Sequence, residues 1–189
     1  MTEFFGNFDE STASEEYLVL GFSPSSIPLK QRWRNNGLSA DFLADYLTTF
    51  FPVNETDTNA VNKQVEVKGA VSYIANELLE NAMKFNDCES GFPVNIQLQL
   101  LSDCIIFRVT NSVPIEIVPK FQNFIQQLLD SDPQELYIQQ LEKIDDHNTS
   151  RVGLLTMMND YMAELGWKFE TVQQDPPVTK VTTMVKLAI

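Results

Sequence analysis

The sequence predicts an α+β two-layer sandwich: a mixed, mainly antiparallel sheet covered on one face by helices. Three observations lead there. Strand-like segments come mostly as neighbours joined by short links, such as "VNIQLQLLSD" and "CIIFRVTNS", the pattern of hairpins rather than crossovers. Helical segments fall between those pairs, and each carries an apolar stripe that must be buried on something. A chain of 189 residues, 43% of them hydrophobic, can close one domain around a real core.

The elements follow in order. Residues 1–16 are acidic and read as a mobile tail, although Phe4, Phe5 and Phe8 could dock on something. "EEYLVLGFSP" is a strand stopped at Pro24. Helical character follows around Leu29–Trp33 and again from Leu38 to Phe51, where Asn36 or Ser39 can cap and Pro52 ends the run. Asn54 to Lys63 is a polar connector, and Val65–Asn86 is a long amphipathic helix. Val94, Ile96, Leu98 and Leu100 alternate with polar residues, so "VNIQLQLLSD" is a half-buried strand, linked at Ser102–Asp103 to the next. Two helices, "PKFQNFIQQLLDSD" and "PQELYIQQLEKID", are separated by Ser131–Asp132–Pro133, with Asp132 as N-cap and Pro133 at N1. "NTSRVGLLTMMNDYMAELG" is a further helix, capped by Thr149 or Ser150 and closed at Gly166. "WKFETVQQ", a Pro-Pro turn and "TKVTTMVKLAI" finish the chain as two strands. The division expected is a tail over 1–16 and one domain over 17–189, with a helical insertion at about 115–148.

Composition narrows the function. The net charge of −13 argues against general nucleic-acid binding, whose phosphates need a basic surface. It is compatible with docking to a basic patch on a protein. No stretch approaches the roughly 18 apolar residues of a membrane span, and the N-terminus lacks a signal-peptide pattern, so the expectation is a cytoplasmic protein without membrane contact. Cys88 and Cys104 have no paired spacing, and His147 is the sole histidine, which disfavours a thiol or histidine metal site. A surface-loop position suits His147.

The long helix raises the functional question. Val71, Ile74, Ala75, Leu78, Ala82 and Phe85 gather on one stripe, while Glu77, Asn81 and Lys84 form a row along its edge. From spacing alone that row is as readily a solvated edge, with Glu80 and Lys84 as an i,i+4 pair. The apolar residues of 121–141, among them Phe121, Phe124 and Leu128, suit packing within the domain or a protein-binding face.

Read in this order, residues 17–189 resemble the ATP-binding domain of the GHKL superfamily (the Bergerat fold), shared by gyrase, the heat-shock chaperone, histidine kinases and anti-sigma-factor kinases. "ELLENAMKF" resembles the family's E-x-x-x-N-A helix, and "TSRVGLLTMMNDYMAELGWKFETV" its late glycine box with the strand that follows. The resemblance implies Glu77 as the residue that orients or deprotonates the attacking hydroxyl or water. It implies Asn81 as the ligand of Mg²⁺ bridging the phosphates of ATP or ADP, and Lys84 as a phosphate contact. "RVTNSVP" falls at the adenine motif, with Thr110 in place of the aspartate, Ser112 in place of the first glycine, and Thr110 or Asn111 as the base contact. In the late box Gly153 remains, with Arg151 and Leu154 beside it as further nucleotide neighbours.

Length places the chain nearest stand-alone anti-sigma-factor-like regulators. The resemblance then implies a partner-switching regulator that binds a protein, such as an anti-anti-sigma-like domain or a sigma factor, under control of a nucleotide-type ligand. Phosphorylation of a partner Ser or Thr is the enzymatic form of that expectation, and a homodimer is left open. The alternative is a non-catalytic interaction module on the same scaffold, binding no nucleotide or a different planar ligand. A detached histidine-kinase catalytic domain is a third reading.

Overall fold

In a computed structural model, the description covers residues 1–11, 16–23, 29–51, 58–142, 149–175 and 177–189. The strands are β1 (Thr2–Gly6), β2 (Glu16–Phe22), β3 (Val94–Leu100), β4 (Cys104–Val113), β5 (Glu164–Gln174) and β6 (Pro177–Ala188). The helices are α1 (Leu29–Thr48), α2 (Thr58–Phe85), α3 (Val118–Asp130), α4 (Pro133–Glu142) and α5 (Thr149–Asn159). One six-stranded sheet runs in the order β1-β5-β6-β4-β3-β2, and its pairings are all antiparallel. The α+β sandwich expected from the sequence is the architecture found.

The core lies between the sheet and the helices. Leu43 and Leu47 of α1 join Ile74 and Leu79 of α2, Ile96 of β3, Phe107 of β4 and Trp167 of β5, all closed to solvent. β4 sits between β3 and β6 and is buried along nearly its whole length, so both of its faces are covered. The expected hairpin closes with Leu101 N–H donating to the Cys104 carbonyl at 2.9 Å. Asp132 caps α4 as expected, its Oδ1 accepting from Gln134 N at 2.9 Å and Glu135 N at 3.1 Å. No helix among the described residues is long and apolar enough to cross a membrane.

Four local expectations are corrected. Residues 1–16 are not simply a tail: Thr2–Gly6 is the edge strand β1, paired with β5 from Thr2↔Glu170 to Gly6↔Gly166. Its partner is encoded at the other end of the chain, so the local sequence shows only an acidic segment. Residues 12–15 lie outside the described set. The break expected near Asn36–Gly37 is absent and α1 is continuous, because Ala40, Leu43, Ala44 and Leu47 bury a stripe that carries the helix through the glycine.

α2 begins at Thr58, seven residues before the expected start at Val65. Asn59 to Lys63, read as part of a polar connector, are helical, and Gln64 just after them donates its amide to the Thr48 carbonyl at the end of α1 at 3.3 Å and to the Phe51 carbonyl beyond it at 2.8 Å. α5 ends at Asn159 rather than at Gly166. Met162 makes the turn at φ 52°, a region usually left to glycine, and Ala163 N–H returns to the Met157 carbonyl at 3.0 Å. Gly166 is instead inside β5. His147 and the side chains of Thr149, Ser150 and Arg151 lie outside the described residues.

Candidate functional cleft

α2 is held in place by its apolar stripe. Val71, Ile74, Ala75, Leu78 and Ala82 are buried as expected, while Phe85 stays 38% exposed. That exposure marks the rim of a cleft of about 360 Å³ between α2, α3 and the sheet. From α2, Leu78, Asn81, Ala82 and Phe85 line it; from β4, Val109, Asn111 and Val113. Ile117, Lys120, Phe121 and Phe124 form the α3 wall, and Leu154, Trp167 and Thr183 close the rest.

The row Glu77, Asn81, Lys84 is therefore divided by what covers it. Asn81 faces the cleft. Glu77, one turn earlier, lies against α5 so closely that any side chain at Gly153 would collide with its carboxylate. Burial, then the charge of Glu80, raises the Glu77 pKa above the ordinary carboxylate value. Lys84 is exposed, its Nζ 5.5 Å from the Phe85 ring centroid, and is not part of the cleft lining. One turn before Glu77, Tyr73 stacks on Tyr161 at 5.3 Å and hydrogen-bonds Thr156, which ties α2 to α5 at this point.

β4 separates the other candidates by strand alternation. Asn111 is buried, points into the cleft and donates through Nδ2 to the Ser112 carbonyl at 3.0 Å. Thr110 is turned to the opposite face, where its hydroxyl meets that of Thr182 at 2.9 Å. Ser112 also faces away from the cleft. Its hydroxyl is 2.6 Å from that of Ser90 and 3.2 Å from both Asn86 Oδ1 and the Asp87 carbonyl, pinning the end of α2 to the sheet.

Asn81, Asn111 and Leu154 thus meet on one cleft, and Glu77 and Gly153 meet beside it. Lys120, Trp167 and Thr183 were not singled out by the sequence. Lys120 opens a helix whose stripe reads as ordinary packing, and the other two depend on the strand order. The segment read as an insertion supplies α3, one wall of the cleft.

The Glu77–Gly153 contact gives a first expected result. Alanine in place of a helical glycine ordinarily gains about 1 kcal/mol, but Gly153→Ala in the wild type should be neutral or destabilising because the Glu77 carboxylate must move. In the Glu77→Ala background the gain should return. Urea unfolding of the four proteins in this cycle should give a coupling of about 0.5–3 kcal/mol; strict additivity would contradict the contact.

No protein-family model matches the chain, and no curated protein matches it. Among solved structures, a chain of the SiaB–SiaC complex from Pseudomonas aeruginosa is similar with a TM-score of 0.56 and 14% identity, over 91% of this chain and 89% of that one. At that identity the likeness is one of fold.

Proposed function

We propose that the chain is a cytoplasmic partner-switching regulator, binding another protein under control of a nucleotide-type ligand held between α2, α3 and the sheet. The observation that carries this reading is the convergence of Asn81, Asn111 and Leu154, from three distant stretches of sequence, on one cleft. Glu77 and Gly153, in mutual contact, each adjoin a residue of its lining. The fold neighbour comes from a complex of two proteins, which supports a protein partner here.

The side chains divide the work. The Asn111 amide oxygen can accept from the amino group of a base, while its Nδ2 is held by the Ser112 carbonyl. Lys120 on the α3 wall can face an anionic group. No cluster of three or more His, Cys, Asp or Glu that could hold a metal occurs among the described residues. Asn81 would offer Mg²⁺ a single amide oxygen, a hard ligand of the kind the ion takes, where one or two carboxylates more often serve beside phosphates. When bound there, the ion would neutralise phosphate charge.

In the enzymatic form of the reading, Glu77 takes the proton of a partner Ser or Thr hydroxyl. ATP, when bound, would supply the phosphoryl group, the hydroxyl oxygen taking the γ-phosphorus as the bond to the β-phosphate oxygen breaks and ADP leaves. The raised pKa of Glu77 moves its basicity toward neutrality, in the direction that general-base work favours.

Calorimetry with Mg²⁺-ATP and Mg²⁺-ADP tests the reading. Asn81→Ala should weaken binding by about tenfold or more, the loss of a charge-assisted contact, and Glu77→Ala should retain binding but abolish phosphate transfer. Flat heats at millimolar nucleotide would instead favour the non-catalytic module. The mostly apolar lining, including Leu78, Phe121, Phe124 and Trp167, is the observation on that side.

A further inference from the structure

The outer face of the sheet, away from the helices, carries a second arrangement independent of the cleft. After β1 the chain turns at Gly6 (φ +63°) and residues 7–11 cross over the sheet. Gly166 of β5 makes room for this: a Cβ there would stand 2.5 Å from Phe8 N and 2.6 Å from Phe8 Cα. Phe8 then packs on a small cluster of Cys104, Ile106 and Met184, separate from the main core. Beyond it the buried guanidinium of Arg108 donates to the carbonyls of Asp9 and Ser11, both at 2.9 Å, and to the Gln99 amide oxygen. Lys168 pairs with Glu10 at 2.7 Å and with Glu170 at 2.9 Å.

Two features of this contact stand out. A buried cation ordinarily holds a carboxylate, yet among the described residues the three acceptors that hold Arg108, the Gln99 amide and the Asp9 and Ser11 carbonyls, are neutral. The arm does bring a carboxylate close, but Asp9 spends both oxygens on Ser11, at 2.7 Å to its N–H and 2.7 Å to its hydroxyl. Much of the arm is also shallow: Phe4 is half exposed and Asn7, Asp9, Glu10 and Ser11 are all exposed, while Phe5 and Phe8 are the two rings that anchor it, Phe5 edge-on to Phe169 at 5.5 Å. In a chain of net charge −13, the strip under it carries Arg108, Lys168 and Lys186 against Glu164 and Glu170.

We infer that residues 1–11 are the resident, displaceable occupant of a docking groove, and that its other occupant is an extended, acidic, aromatic-bearing segment of a partner protein. Such a segment adds a strand to β5, seats an aromatic ring on Cys104, Ile106 and Met184, and gives Arg108 the carboxylate that the arm withholds. Charge complementarity selects acidic over basic segments, and the free β5 edge left by β1 supplies main-chain pairing. The inference does not rest on the cleft reading.

The test uses the full chain and a fluorescent peptide of its own first eleven residues, MTEFFGNFDES, as the probe. Phe8→Ala, which loosens the resident arm and leaves the groove intact, should bind the peptide about tenfold more tightly than the wild type; adding Arg108→Met should remove most of that gain, and so should a peptide with its acids changed to amides. Equal binding by wild type and Phe8→Ala, or by acidic and amide peptides, would overturn the inference. Hydrogen exchange on the wild type is a second reading that needs no variant: amides of Thr2–Gly6 should exchange about a hundredfold or more faster than those of β4, through local opening. Exchange of both only on global unfolding would make β1 a permanent strand. A stable wild-type dimer with exchanged arms would assign the groove to a second copy and overturn the assignment to a partner.

Discussion

Trp167→Ala is expected to lower the unfolding free energy by about 3–5 kcal/mol, the largest single-residue loss we anticipate. Trp167 is closed to solvent, sits on β5 between Phe5 of β1 and Thr183 of β6, and presents one side to the cleft. Removing the indole merges its volume with the cleft, and the surrounding strands cannot collapse to fill it. Trp167→Phe should behave very differently. The indole N–H is buried without a hydrogen-bond partner among the described residues, a cost of about 1–3 kcal/mol that phenylalanine does not carry. That relief offsets much of the lost volume, so the expected loss is below about 1.5 kcal/mol. Urea denaturation of both variants, with unchanged m-values, checks the pair. An alanine variant as stable as the phenylalanine variant would place Trp167 outside the core.

Gly166→Ala is expected to lift the N-terminal arm from the sheet and destabilise the chain by about 1–3 kcal/mol. The atoms a Cβ would meet are Phe8 N, Phe8 Cα and Asn7 C, all main chain, and main chain cannot rotate aside as a side-chain tip does. The arm's hydrogen bond from Asn7 N to the Leu165 carbonyl, 2.9 Å, should break with it. Amides of Thr2–Gly6 should lose protection while those of β4 and β6 keep it. Unchanged protection over Thr2–Gly6 would mean that the arm does not lie on residue 166. The contrast with Gly153 is instructive, since there the obstruction is a flexible carboxylate and the expected consequence is displacement of Glu77 rather than loss of an element.

Both glycines were visible in the sequence, and their roles were not. Gly153 reads as the remnant of a glycine box, yet what demands it is a carboxylate seventy-odd residues earlier in the chain. Gly166 reads as the end of a helix, because glycine is the common helix terminator; the terminating turn falls instead on Met162. The helical row of Glu77, Asn81 and Lys84 was legible because helix periodicity is local. That only Asn81 would line the cleft was not, since α5 covers Glu77 and Lys84 stays outside on the solvent side. Thr110 and Asn111 are adjacent in sequence and opposite in space, and the choice between them needed the inward face of β4 to be known.

By itself the sequence determined most of the element types, the α+β class, the α4 cap at Asp132 and the apolar stripe of α2, all of which rest on contacts or periodicities spanning a few residues. Tertiary structure alone decided that the first five-residue strand completes the sheet, that α3 walls the cleft with Lys120, and that Arg108 is buried under the N-terminal arm. The physical reason is the same in each case. Strand pairing, the closing of a cleft and burial of a cation depend on partners brought together from distant parts of the chain, and none of them leaves a period in the residues on one side of the contact.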